Sequence, residues 1–512
     1  MASVSGQPAP LSGAALGLAS MALALGTFMQ VLDTTIANVS LPTVAGSLGV
    51  STDSGTWVIT SFAVANGVTV PLTGWLMMRF GVVRTFTASV FLFTIASLLC
   101  GLAWSLPSLI LFRILQGAVS GPMIPGSQAL LIAIFSPTKR STALGIWSAT
   151  TLAAPVFGPV LGGYISDNFH WGWIFLINVP IGAVTGAIAW RLLKDRETPT
   201  RKLPIDTVGL VLLAFWVFAL QTMLDLGKDR DWFNSGLIQL LAVGAAIGFA
   251  AWVIWELTEN YPAVDLTLFA KRNFMLGVVA LCLGYALLFA NNLLLPLWLQ
   301  EQMGYTATWA GLAAAPAGVI AVLTTPLISK FKLDARVMAT ISFLSYAGSF
   351  ALRTQFGSEI SFWSIVAPML LQGLAMTTFF VPLLTIVLDG VAPDRVPAAS
   401  GISNFARITA GGFAASLVTT TWDRRAALHQ TRLAETGSPF SPVYRDAIAH
   451  GEALGLSPLQ AAGVVVRQMV NQAYLLSTLE IFWLSAWLSV AMIVLVWFAR
   501  RPAPSEHAVA AD

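Results

Sequence analysis

The chain has 512 residues, of which 56% are hydrophobic and only 10% charged, with a formal net charge of +3 and a mean hydropathy of +0.76. A soluble domain carries roughly 25% charged residues, so these charges are too few to cover a water-soluble protein of this length. The small net charge and the lack of a basic block interleaved with aromatics exclude a nucleic-acid binder.

Fourteen apolar stretches approach the roughly 20 residues that a helix needs to cross a bilayer. They are 14–38, 57–77, 84–104, 108–132, 142–165, 171–192, 208–225, 236–257, 275–298, 307–328, 336–353, 362–388, 398–420 and 478–499. The expected fold is an all-α polytopic membrane protein. An outer-membrane barrel would show short alternating segments instead. The first thirteen residues lack Lys and Arg, so no cleavable signal is expected. Cys100 and Cys282 lie in apolar runs and read as small buried hydrophobes.

With both termini in the cytoplasm, the cytoplasmic loops and tail collect seventeen basic residues, including Arg79, Arg84, Lys139, Arg140 and Lys271. The short outer loops hold three, Lys228, Arg230 and Arg353. This is the positive-inside asymmetry of an even number of spans. Two segments also match at a shift of 256 residues: Leu115-Gln116-Gly117 recurs as Leu371-Gln372-Gly373, and Ala143-Leu144-Gly145 as Ala399-Ser400-Gly401. Pro137 and Thr138 lie in a short basic loop that returns loosely at Pro393 and Asp394. Parallel repeats of this kind place a transporter's substrate at the repeat interface. The expected organisation is a six-helix bundle over 1–192, a linker with two inserted helices over 193–262, and a second six-helix bundle over 263–512 with a long periplasmic loop at 422–477.

Ionisable groups within spans are expensive, about 2.5–3.5 kcal/mol or more at the centre, so they mark partners or function. Asp33 and Arg113 lie at matching depth, about five residues or ~8 Å from the outer ends of the first and fourth spans. Burial favours a neutral carboxyl and a nearby guanidinium favours the ionised one; a carboxyl balanced between them can load and release a proton. The plainer alternative is a fixed buried ion pair. Arg407 falls near mid-depth of its span, either bonded to helix carbonyls or Gln372, or serving substrate or proton. Glu256, at a span end, reads as an interfacial anchor. At the shift of 256, Phe289 and Met369 stand opposite Asp33 and Arg113, which confines the acid–base pair to the first half.

Gly158-Pro159-x-x-Gly162-Gly163 sets two glycines on one helix face beside a proline, a bendable and closely packed seam. Polar candidates for a mostly apolar substrate cavity are Gln30, Asn38, Gln116, Gln128, Asn291, Asn292, Gln372 and Asn404. Tyr285, Met376 and Phe379, with Phe28 and Met29, would supply adaptable walls. In 422–477, Ser457-Pro458 opens an expected helix whose Ala461, Val464, Val465, Met469 and Val470 form an apolar stripe. No Walker-type loop exists, and the four histidines lie in loops or the tail, so neither an ATP-driven pump nor a metal site is expected.

Taken together, Leu32-Asp33-Thr34-Thr35 to Leu41-Pro42, Arg113-Ile114-Leu115-Gln116-Gly117, Ala154 with Gly158 to Gly163, and Trp171-Gly172-Trp173 to Pro180 resemble the major facilitator superfamily. The likeness is to its fourteen-span drug:proton antiporter branch and the EmrB-type exporters of Gram-negative bacteria. It covers nearly the whole chain. It implies a major facilitator fold and a secondary active transporter, not an enzyme, in the bacterial inner membrane. The function implied is proton-coupled multidrug efflux, with the proton gradient as energy source, no cofactor, and antibiotic resistance as outcome. It gives Asp33 and Arg113 a proton-coupling role and Ala154, Gly158, Pro159, Gly162 and Gly163 a gating role. It also implies a periplasmic membrane-fusion adaptor (EmrA-type) and an outer-membrane channel (TolC-type); a lid packed on its own transporter is the other use for 422–477. The loop Gly74 to Gly81, with Arg79, matches the superfamily's cytoplasmic loop but has Met78 where an acid is usual, so any gate latch must use another residue. An uncoupled facilitator or a metabolite exporter would share the fold.

Overall fold

The computed structural model describes residues 10–50, 55, 57–136, 139–201, 204–228, 230–328, 333–392, 395–436 and 441–501. Every described regular element is a helix. Each of the fourteen expected spans coincides with one helix or with a broken pair. In order these are Gly13–Ser47; Trp57–Thr69 with Thr73–Phe80; Val82–Gly101; Leu106–Ser120 with Met123–Ile134; Arg140–Asn168; Trp173–Leu176 with Asn178–Leu193; Thr207–Gly227; Gly236–Thr258; Arg272–Glu301; Ala307–Ile328; Ala335–Arg353; Phe362–Thr377 with Phe380–Val387; Val396–Thr436; and Pro458–Trp497. Among the described residues, eleven helices are long and apolar enough to cross a membrane, or twelve counting the second span, which bends by 57° at Val70–Leu72 around Pro71. The fifth and thirteenth spans fall in helices of 29 and 41 residues.

Helix starts follow local chemistry. Ser105 and Ser108 form a capping box across Pro107, and Ser457 with Gln460 forms another across Pro458. Asp206, Asp334 and Ser361 cap the seventh, eleventh and twelfth spans. The repeat is visible in these boundaries: Leu106 and Phe362 open corresponding helices at the shift of 256, as do Arg140 and Val396. The fourth and twelfth spans also break within one residue of corresponding places, at Gly121–Pro122 and Thr378–Phe379.

In the first half the first span packs on the fifth and sixth, and the second on the fourth; in the second half the ninth packs on the thirteenth and fourteenth, and the tenth on the twelfth. The seventh and eighth pack on each other, and the seventh also on the second and thirteenth. The eighth turns Leu240, Val243, Ile247 and Ile254 outward, a face suited to lipid.

The structure corrects three expectations. Arg353 belongs to no outer loop: it ends its helix fully buried. Glu256 does not reach out as an anchor. It is buried, accepting from the Val264 N–H (3.0 Å) and Trp252 Nε1 (3.0 Å). The described part of 422–477 is mostly helical, because the helices of the thirteenth and fourteenth spans extend beyond the expected spans, to Thr436 and from Pro458, and pack on each other, with a further helix at Pro442–Ala453.

Candidate functional site

Asp33 lies in the first span with its carboxylate sealed from solvent. Arg113 Nη1 donates to its Oδ2 at 2.6 Å. Gln116 Nε2 and Asn178 Nδ2 donate to Oδ1 at 3.0 and 2.8 Å. Gln116 and Arg113 share one helix face three residues apart, so the two side chains also bond each other (2.7 Å). Gln116 reaches Ser97 Oγ of the third span (2.8 Å), and Arg113 Nε donates to the Val58 carbonyl (3.0 Å). The guanidinium lies over the Phe62 ring, 4.2 Å from its centroid. Three spans of the first half thus meet at one carboxylate, and the second and third hold its partners Arg113 and Gln116. Sequence reading found Asp33, Arg113 and Gln116 but missed Asn178 and Ser97, whose only signal was a polar residue inside an apolar run.

The seam at Gly158 packs on the helix that carries Asp33. A Cβ at Gly158 would stand 2.1 Å from Thr35 Oγ1, and one at Gly162 would stand 3.3 Å from the Ile36 carbonyl. Ala154 and Gly163 are buried in the same helix. The side chains of Pro159 and Asn38 lie outside the described residues.

A second cluster joins the two halves. Asn404 Nδ2 donates to Gln128 Oε1 (3.0 Å), Arg407 Nη2 donates to Asn404 Oδ1 (3.0 Å), and the Arg407 guanidinium sits 4.5 Å from the centroid of the Tyr285 ring. Tyr285 stacks on Phe289. Arg407 is nearly fully buried. Gln372 is not its partner.

Gln372 instead accepts a short hydrogen bond from Arg353 and donates to Asn292 Oδ1 (2.6 Å). Arg353 also meets Ser349 Oγ (3.2 Å) and the sulfur of Met369. Among the described residues no carboxylate reaches it. Asn291 points away from this group and bonds Ser485 Oγ (3.0 Å). Met376 and Phe379 are buried in the core of the second half, and Gln30 is buried in the first. Asp225, an acid inside the seventh span that sequence reading passed over, accepts from Thr60 Oγ1 (2.6 Å) and Gln221 Nε2 (3.1 Å).

Toward the cytoplasmic ends the halves meet closely. A Cβ on Gly74 would lie 2.8 Å from Ala398, one on Gly145 would lie 3.1 Å from Thr325, and one on Gly401 would lie 3.1 Å from the Val70 carbonyl. Trp147 meets Phe380 edge to face at 5.9 Å. The two halves therefore meet closely at the ends of the spans next to the loop that holds Arg79 and Gly81. Among the described residues no group of three or more His, Cys, Asp or Glu is placed to hold a metal ion.

On the outer side, Trp422 and Thr478 (2.8 Å) and Arg425 with Glu480 (2.6 Å twice) lace the hairpin together. Ala461 is packed against Gly451 and Val465 is half-buried, so the expected stripe is partly covered. Val464 of the stripe is exposed, as are Val443, Leu454, Leu459 and Val466 outside it.

The sequence profile of the Major Facilitator Superfamily matches residues 23–416. The chain is 48% identical to the multidrug export protein EmrB of Haemophilus influenzae, over 97% of this chain and 98% of that protein. It is 49% identical to EmrB of Escherichia coli (strain K12), over 97% and 98%. It is 48% identical to the fatty acid resistance protein FarB of Neisseria gonorrhoeae, over 96% and 98%. Among solved structures it shares the fold of a bacterial homologue of the lysosomal transporter Spinster, with a TM-score of 0.52 at 15% identity over 96% of this chain and all of that one. The human organic anion transporter MFSD10 gives a TM-score of 0.56 at 11% identity over 94% and 99%.

Proposed function

The chain belongs to the major facilitator superfamily, and on that premise we propose that it is a proton-coupled exporter of hydrophobic and amphipathic compounds across the bacterial inner membrane. The observation that carries the coupling is the carboxylate of Asp33, buried within a span and bonded at once to Arg113, Gln116 and Asn178. A carboxylate in that setting is worth its desolvation only if it has permanent partners or a job. Here every partner sits on a helix of the same half as Asp33, and the Gly158 seam presses on the same helix two residues along, at Thr35. A movement of the fifth span within the first half would shift Asp33 relative to Arg113, which would tie proton loss to helix movement.

The names of the relatives support the substrate class. Two are multidrug export proteins and one is a fatty acid resistance protein; drugs and fatty acids share an amphipathic character. The Gln128–Asn404–Arg407–Tyr285 cluster gives the interface of the halves a few polar fixtures among aromatic walls, the composition of an adaptable binding site. The hairpin beyond the thirteenth and fourteenth spans, with Val443, Leu454, Leu459 and Val466 turned outward, is the docking place for a membrane-fusion adaptor of the EmrA type leading to a TolC-type channel.

Proteoliposomes carrying a pH gradient test the coupling. Substrate added to the wild type should dissipate the gradient, and Asp33→Asn should not. Transport by the wild type that is indifferent to pH would leave an uncoupled facilitator as the function. Deletion of 430–470 should abolish adaptor pull-down while leaving drug binding in place.

A further inference from the structure

We infer that Glu197, from the linker that follows the sixth span, is the positioning residue of the cytoplasmic gate: its carboxylate caps the third span and so holds the loop 74–84 in the shape that closes against the second half. The inference rests on the reading of the chain as an alternating-access transporter.

The third span begins without a cap of its own. Its N-cap is Gly81, at φ +92°, and its first turn holds no acid. The amides of that turn are met from the linker. Val83 N–H donates to Glu197 Oε1 (3.0 Å), Arg84 N–H to Oε2 (2.9 Å), and Val82 N–H to Thr198 Oγ1 (3.2 Å). Both carboxylate oxygens are thus used on the positive end of a 20-residue helix, where an anion is stabilised by dipole and hydrogen bonds together. Gly81 is required twice over. Its backbone lies in the left-handed region, and a Cβ there would stand 2.2 Å from the Glu197 carboxyl carbon. The linker then runs on across the loop: Arg201 N–H donates to the Met78 carbonyl (2.8 Å), and Trp75 Nε1 donates to the Pro204 carbonyl (3.0 Å). It ends at Asp206, which caps the seventh span.

The opposite side of the same loop is the gate. Gly74 stands against Ala398 of the thirteenth span with no space for a side chain. On the alternating-access reading, that contact between the halves belongs to the state in which the cytoplasmic side is shut. When the halves part, the loop loses its partner and its disorder is free; when they close, any disorder must be given up. A loop already fixed by Glu197 gives up little on closing, so the cap stabilises the shut state selectively.

The experiment reads the gate without substrate, so a failure of transport or of proton coupling does not confuse it. Spin labels on Lys139→Cys and Arg272→Cys, exposed positions on the cytoplasmic side of the two halves, report the width of that mouth. Cys100 and Cys282 are replaced by Ala in this background. Glu197→Ala should lower the ratio of short to long distances about tenfold, equivalent to about 1.4 kcal/mol and in the range of a lost cap. Glu197→Gln keeps the shape but not the charge and should fall between. Glu259→Ala removes an acid that, among the described residues, bonds the neighbouring Asn260 and Tyr261 amides, and should leave the distribution unchanged. A wild-type distribution in both Glu197 variants overturns the inference, and so does a shift of equal size in Glu259→Ala. If Glu197→Ala fails to insert, Glu197→Gln alone decides between these outcomes.

Discussion

Ser97 and Arg353 occupy the same place in the two halves, at the shift of 256 residues, and each bonds the glutamine of its own half: Ser97 Oγ accepts from Gln116, and Arg353 donates to Gln372. The arginine of the repeat has changed helix. In the first half it stands on the fourth span as Arg113; in the second half that position is Met369, and the cation comes from the eleventh span to lie against the methionine sulfur. The first half faces its arginine with Asp33, whereas the second offers Asn292 through Gln372.

This difference predicts opposite sensitivities. Arg113→Met leaves Asp33 buried without its cation and should cost about 3–5 kcal/mol. Arg353→Met abandons no carboxylate and removes a desolvated charge, so its loss is limited to the unmade bond at Gln372, about 1–3 kcal/mol. Thermal unfolding of the two purified variants in one detergent checks the order. Equal destabilisation would contradict the role given to Asp33 as the counter-charge.

Gly158 predicts a steric phenotype. Alanine there would thrust its methyl onto Thr35 Oγ1, 2.1 Å away, and force the first and fifth spans apart. Overpacking of this kind costs about 1–3 kcal/mol. Gly158→Ala should insert normally and export at least about tenfold more slowly, on the scale of 1.4 kcal/mol per decade. Gly158→Ala/Thr35→Ala should recover part of the rate, as measured by efflux of a fluorescent substrate from loaded cells.

Asp334 predicts a pH dependence at the cytoplasmic surface. Its carboxylate caps the eleventh span at the Arg336 N–H (3.0 Å) and pairs with the Arg336 guanidinium (2.9 Å), which holds its pKa below the ordinary 3.8. A lowered value in the folded state means that the stabilisation is complete above the unfolded pKa and is lost as pH falls through the folded one. Asp334→Asn should therefore melt earlier than the wild type at pH 6–8. The gap should close only below about pH 3.8. A gap that vanishes near neutrality would rule the cap out as its source.

The outer hairpin separates two kinds of contact. Trp422 is fully buried between the helices and bonds Thr478, so Trp422→Ala should cost about 3–5 kcal/mol of local stability. Arg425 and Glu480 are over a third exposed, and solvent screens such a pair so that it contributes little. Limited proteolysis from the periplasmic side should cut 430–470 readily in Trp422→Ala and at the wild-type rate in Glu480→Gln.

By itself the sequence determined the membrane class, the spans and the repeat. Lipid obliges each crossing segment to satisfy its own backbone and to be apolar along its length, so these features are written locally. Asp33, Arg113 and Gln116 were legible for the same reason: a charge or amide inside an apolar run stands out wherever it points. Tertiary structure alone decided the partners. Arg353 sits at a helix end, where a sequence cannot distinguish an outer loop from a buried core; only the rotation of the eleventh span turns it inward onto Gln372. Asn178 reaches Asp33 from 145 positions away, and Glu197 reaches Val83 from 114. Contacts at such separations are fixed by how helices rotate and pack against one another, and no residue type or spacing encodes that within its own segment.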